Sequence, residues 1–98
     1  MSTKEEYKKM IEAEFELGQA KLAEFKARGK SLTADARIKH AKLVDDLEQK
    51  SAATKTKLRE LGEANDDAWE EHKDGVENTW GVLQAALKDT VIMFEKDV

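Results

Sequence analysis

The feature that most constrains this chain is a stripe of large apolar residues in its last third. Trp69, Val76, Trp80, Leu83, Leu87, Val91 and Phe94 recur at steps of three, four or seven, and His72 lies on the same line. A period near 3.6 is helical and incompatible with the two-residue alternation of a strand. The pattern predicts a helix over about 66–96, with Val82, Ala86 and Met93 widening the stripe on one side. Asn65 or Asp66 is placed to cap its start, and Asp67–Glu70 has capping-box spacing.

The first segment carries a similar face. Tyr7, Ile11, Phe15, Gly18, Leu22 and Phe25 step by four, four, three, four and three, with Met10 beside them, predicting a helix over about 3–28. It runs into ARGKSLT, where Gly29 is a helix stop and Ser31 or Thr33 a cap for the next helix. The second helix, about 34–61, has the face His40, Val44, Leu47, Ser51, Thr54, Leu58 and Leu61. Its middle, Ser51 to Thr54, is small and polar, which suits a close or locally wet helix contact. A single helix over 3–61 that pairs with another molecule is the alternative; Gly29, Ser31 and Thr33, clustered together, favour a turn. The expected fold is therefore all-α, one domain over 1–98. It is an antiparallel, coiled-coil-like three-helix bundle about 40 Å long.

Composition supports this and excludes much else. There is no proline, 39% of residues are charged and 40% hydrophobic, which is the balance of long helices. In 98 residues the core must be thin, so association with a second copy would add stability. The lack of cysteine removes disulfides, thiolate catalysis and Cys-ligated zinc. No apolar run approaches the roughly 20 residues of a membrane span, and the N-terminus lacks a signal-peptide core, so a soluble cytoplasmic protein is expected.

The net charge of −4 is unevenly spread: residues 62–98 carry three basic and ten acidic groups. Lys50, Lys55, Lys57 and Arg59 precede Glu63, Asp66, Asp67, Glu70, Glu71 and Asp74, as complements to the two macrodipoles at a helix–helix junction. An acidic docking surface for a basic partner is the alternative. With interleaved acids on every helix, nucleic acid is not an expected partner.

No catalytic constellation is visible. A dimetal bundle site needs Glu-x-x-His pairs, but Trp69 and Arg37 stand three residues before His72 and His40. EANDDAWEEHKDG lacks the alternating oxygen ligands of a calcium loop, and there is no phosphate-cradling glycine loop or nucleophile elbow. No metal or cofactor is expected, and no enzymatic activity. Gly75 and Gly81 each cost about 1 kcal/mol in a helix. They are expected to admit close helix approach beside Val76 and Trp80, or else to act as a hinge.

The stretch DDAWEEHKDGVENTWGVLQAAL resembles a family of short bacterial coiled-coil proteins, described as stress-response or apolipoprotein-like helical proteins. Asp67, Ala68, Trp69, Gly75, Val76, Trp80 and Leu83 match its pattern; the first two segments resemble it only in being helical and charge-rich. His72 departs from it, standing at a position more usually apolar, and GKSLT is more turn-like than its counterpart. The resemblance implies a soluble bacterial helical protein made under stress, with no catalytic residue, substrate or cofactor to carry over.

Together these readings predict a small non-enzymatic helical interaction protein that self-associates or docks a protein partner. Trp69, Val76, Trp80, Leu83, Leu87, Val91 and Phe94 form its core or partner face. The alternative is an amphipathic bundle that binds lipid or other exposed apolar surface, as apolipoproteins and holdases do.

Overall fold

The structure is a computed structural model describing residues 3–97; Met1, Ser2 and Val98 lie outside it. Three helices follow one another: α1 (Thr3–Ala27), α2 (Ala34–Glu63) and α3 (Trp69–Asp97), with a short 3-10 turn (Arg28–Ser31) after the first. They form an all-α three-helix bundle, and the described residues contain no strand. Its extents are 51 × 19 × 18 Å. That is longer than the expected bundle: α2 alone has 30 residues, about 45 Å of helix.

Local chemistry sets the helix ends. Glu5 and Glu6 occupy the first turn of α1 and Lys26 its last, matching the macrodipole. The chain then tightens: Leu32 N–H donates to the Gly29 carbonyl at 3.3 Å, and Ser31 Oγ donates to the Arg28 carbonyl at 3.1 Å. Arg37 Nη2 donates to the Lys30 carbonyl at 2.8 Å, satisfying a further acceptor of the turn. Thr33 caps α2 as expected, accepting from Ala36 N–H at 3.4 Å. The turn, and not a helix running through 29–33, is what the chain adopts.

Gly29, however, does not act through a left-handed conformation, since no glycine among the described residues has positive φ. Its reason is space. A Cβ there would stand 2.8 Å from Cε1 and Nδ1 of His40.

The start of α3 also differs from expectation. The helix begins at Trp69, not Asp66. Asn65 Oδ1 accepts from Ala68 N–H at 3.0 Å and organises a turn first; the helical bond from His72 N–H to the Ala68 carbonyl follows. Asp66 is drawn away from capping by Lys4 of α1, 2.7 Å distant. The second helix runs to Glu63, so its last turn holds no basic residue. The macrodipole role expected of Lys50 to Arg59 therefore does not apply. Lys50 pairs with Asp46 at 2.7 Å and Lys57 with Glu60 at 3.9 Å, both within α2.

The core is the three predicted stripes brought together. Ile11, Phe15, Leu22 and Phe25 meet Val44, Leu47, Leu58 and Leu61, and Val76, Trp80, Leu83 and Leu87 close the third side. Each fully buried leucine, such as Leu47, Leu61 or Leu83, contributes roughly 1.5–3 kcal/mol. In the polar middle of α2, Ser51 and Thr54 are buried and Thr54 reaches towards α3. Thr54, fully buried, donates to the Lys50 carbonyl at 3.0 Å and lies 3.5 Å from the Thr79 carbonyl. Val82 and Met93 are exposed, so the widening expected of the third stripe extends only to half-buried Ala86, and Met10 beside the first stripe is exposed as well.

Candidate functional site

Because the chain runs up, down and up, α1 and α3 are parallel neighbours, and ring contacts set their register. Tyr7 meets Trp69 edge-on at 5.7 Å, Phe15 meets Trp80 at 6.0 Å, and Phe25 meets Phe94 at 5.2 Å. These are T-shaped pairs, the arrangement the ring quadrupoles favour. The α1–α3 seam is nevertheless the least extensively packed of the three, and α2–α3 the most.

At the lower end of the seam is an aromatic and ionic cluster. Lys4 Nζ lies 5.6 Å from the Trp69 ring, and Lys73 Nζ lies 5.0 Å from Tyr7 and 5.8 Å from Trp69. The Tyr7 hydroxyl donates to Glu77 Oε1 at 3.1 Å. Burial first, then that bond and the nearby charges of Glu77, Glu14 and Asp74, push the Tyr7 phenol up to about 12. The Asp66 carboxyl is held below the usual range by its hydrogen bond to Lys4 and by that charge. His72 sits at this end half-buried, with Nδ1 4.0 Å from Glu60 Oε2 across the α2–α3 seam.

At the upper end His40 joins all three helices. It is buried, and its Nε2–H donates to the Phe25 carbonyl at 2.8 Å. Phe25 C=O lies in the last turn of α1, where carbonyls lack intrahelical donors, so α2 supplies the missing donor in trans. The imidazole centroid lies 4.6 Å from that of Phe25 and 5.3 Å from that of Phe94, with the ring tilted against both.

Between these ends the α1–α3 seam opens into a groove of about 550 Å³. Its floor is Gly18, Phe25, Trp80, Leu87 and Val91. Leu17 on α1 and Ile92 on α3 form lips, 66% and 42% exposed, although both are large and apolar. Gly18 permits this shape: a Cβ there would lie 2.7 Å from Cη2 and 3.1 Å from Cζ3 of Trp80, so the edge of the indole comes up against α1 only because residue 18 has no side chain. Polar groups line the rim: Glu14, Lys21, Glu24 and Arg28 on one side, Gln84 and Lys88 on the other.

The predicted face is thus divided by the structure. Val76, Trp80, Leu83 and Leu87 are buried core, while Trp69, Val91 and Phe94 are half-buried at its ends. Trp80, Leu87 and Val91 also line the groove. The lips were outside the predicted stripes, and their signal in the sequence was being bulky, apolar and off the helical line. Close approach at Gly75 and Gly81 is not found. A Cβ at Gly75 would make ordinary contact with Lys57 Cδ at 3.7 Å, and one at Gly81 would meet nothing within 4 Å. The closest approaches are at Gly18 and Gly29, with the flexible Lys8 side chain 3.1 Å from a Cβ at Gly62.

Among the described residues no group of three His, Asp or Glu side chains is placed to hold a metal ion. No helix of these residues is long and apolar enough to cross a membrane. Compared with family models, curated proteins and solved structures, the chain matches none.

Proposed function

We propose that this chain is a small, non-enzymatic helical interaction protein that self-associates through its α1–α3 groove and docks a protein partner with the same surface. The observation behind this reading is the exposure of Leu17 and Ile92 on either side of a floor containing Trp80 and Leu87. A continuous apolar strip rimmed by charges is the anatomy of an interface, with aromatic anchors at its centre. The resemblance of residues 66–87 to short bacterial stress-response helical proteins supports a role under stress, and the cysteine-free sequence suits a reducing cytoplasm.

A second reading is an apolipoprotein- or holdase-like bundle that receives exposed apolar surface. Exposed Met10, Ile38, Val82 and Met93, distributed over all three helices, favour it. Sedimentation velocity across a concentration series tests the first reading, with a rising mean mass as the expected result. A strict monomer at every concentration would exclude self-association. Suppressed aggregation of a denatured client by that monomer would then support the second reading.

A further inference from the structure

Two lysines line the groove from opposite walls, Lys21 on α1 and Lys88 on α3. The register of the seam puts them at one height. Tyr7 contacts Trp69 and Glu77, Phe15 contacts Trp80, Gly18 abuts Trp80 and Leu87, and Phe25 contacts Phe94. Residue 21 of α1 is thereby level with residues 87–88 of α3. Neither ammonium has an ion-pair partner among the described residues. The two acids on the rim do not serve them: Glu24 pairs with Arg28 at 3.6 Å, and Glu14 lies seven residues, roughly 10 Å, down α1 from Lys21.

The groove rim thus carries three basic groups, Lys21, Arg28 and Lys88, against the two acids Glu14 and Glu24. With Glu24 paired to Arg28, the two lysines raise the local potential for an anion over an apolar floor. The floor of the groove along α3 and α1 is Leu87, Trp80, Phe25 and Val91, a surface that accepts an alkyl chain. The volume of about 550 Å³ is within the range of small-ligand sites.

We propose that the α1–α3 groove binds a free single-chain amphiphile with an anionic head, of the medium-chain carboxylate class. Its head lies between Lys21 and Lys88 and its chain lies along Trp80 and Leu87. The site does not depend on the self-association proposed above. A second copy seated over Leu17 and Ile92 would compete for the same floor.

The test uses decanoate below its micelle concentration, titrated into dilute protein whose mass is established in parallel by sedimentation. A Trp69→Phe background leaves Trp80 as the sole indole reporter. Saturable calorimetric binding with a matching change in Trp80 emission is expected, at one decanoate per chain. Decyltrimethylammonium, with the same tail and opposite charge, should bind about tenfold more weakly or worse. Lys21→Gln with Lys88→Gln should weaken decanoate by about tenfold while helicity and melting temperature hold, since both side chains are exposed. Equal affinity for the anion and the cation, or unchanged affinity in the double variant, would overturn the proposal. So would an absence of saturable decanoate binding, even if the protein then bound vesicles. A strict monomer that binds decanoate with this charge preference would exclude self-association and leave the groove site standing.

Discussion

Gly18 and Trp80 stand so close that any side chain on the glycine would put its Cβ 2.7 Å from Cη2 and 3.1 Å from Cζ3 of the indole. The contact joins α1 to α3 at the point where their seam begins to open, and it sets both the lie of Trp80 and the depth of the groove.

Alanine at two glycines should therefore act with opposite signs. Gly18→Ala gains about 1 kcal/mol of helix propensity but forces the indole aside, and the net result should be a loss of about 1–3 kcal/mol. Gly81→Ala meets open space and should stabilise by up to about 1 kcal/mol. Urea unfolding of both variants measures this. Equal signs would mean that the indole contact is not a constraint.

His40 and Gly29 should be coupled in the same manner. Gly29→Ala places a methyl 2.8 Å from the imidazole, whereas in a His40→Ala background that clash is gone. A double-mutant cycle should return a coupling of about 0.5–3 kcal/mol. His40→Leu on its own should cost about 1–3 kcal/mol, because the Phe25 carbonyl loses the donor now 2.8 Å away. Additive effects at Gly29 and His40 would contradict the packed arrangement.

Tyr7 gives a pH signature that can be read directly, since it is the chain's single tyrosine. Its phenol is raised from 10.0 to about 12, so between those values the folded chain holds a proton that the unfolded chain has released. Stability from this group is fully present below pH 10 and falls as pH rises towards about 12. Tyrosinate absorbance should rise with a midpoint well above the ordinary one, and Glu77→Gln should bring it down. A titration at the ordinary value would remove the Tyr7–Glu77 bond from the account.

Substituting the lips should separate association from folding. Leu17→Glu with Ile92→Glu should change unfolding free energy by no more than about 0.5 kcal/mol per site, as expected at exposed positions. The association constant should fall by about tenfold or more. Sedimentation of the double variant beside the parent provides the measurement. Undiminished association would move the interface elsewhere on the bundle.

The three faces were legible because helical geometry maps sequence spacing onto one side of a cylinder. All seven residues assigned to the face of α2 are buried, from His40 to Leu61. Even the polar members followed, since Ser51 and Thr54 are small enough for a tight seam and Thr54 can bond its own backbone. The turn was legible for a similar reason, with Thr33 as a local capping signal. The start of α3 was less so. Asp66 had the right chemistry for a cap, but a lysine 62 positions away claimed it.

The roles of the glycines could not be read from spacing. Gly75 and Gly81 sit next to bulky residues in sequence, but on a helix neighbouring positions point about 100° apart. Which glycine faces another helix depends on the rotation and register of all three. His40 was legible as a face residue, but its bond to the Phe25 carbonyl was not, because that partner lies on a different helix.

By itself, then, the order of residues determined that the chain would form three helices, where it would turn and which side of each helix would be buried. These follow from local geometry and from the free energy of removing apolar surface from water, neither of which needs a partner to be specified. Tertiary structure alone decided which seam would be tight and which open. The α1–α3 groove, with Leu17 and Ile92 at its lips and Lys21 and Lys88 on opposite walls, is built around the close approach of Trp80 to Gly18. That is a matter of side-chain volume meeting across two helices, and periodicity along one chain carries no record of it.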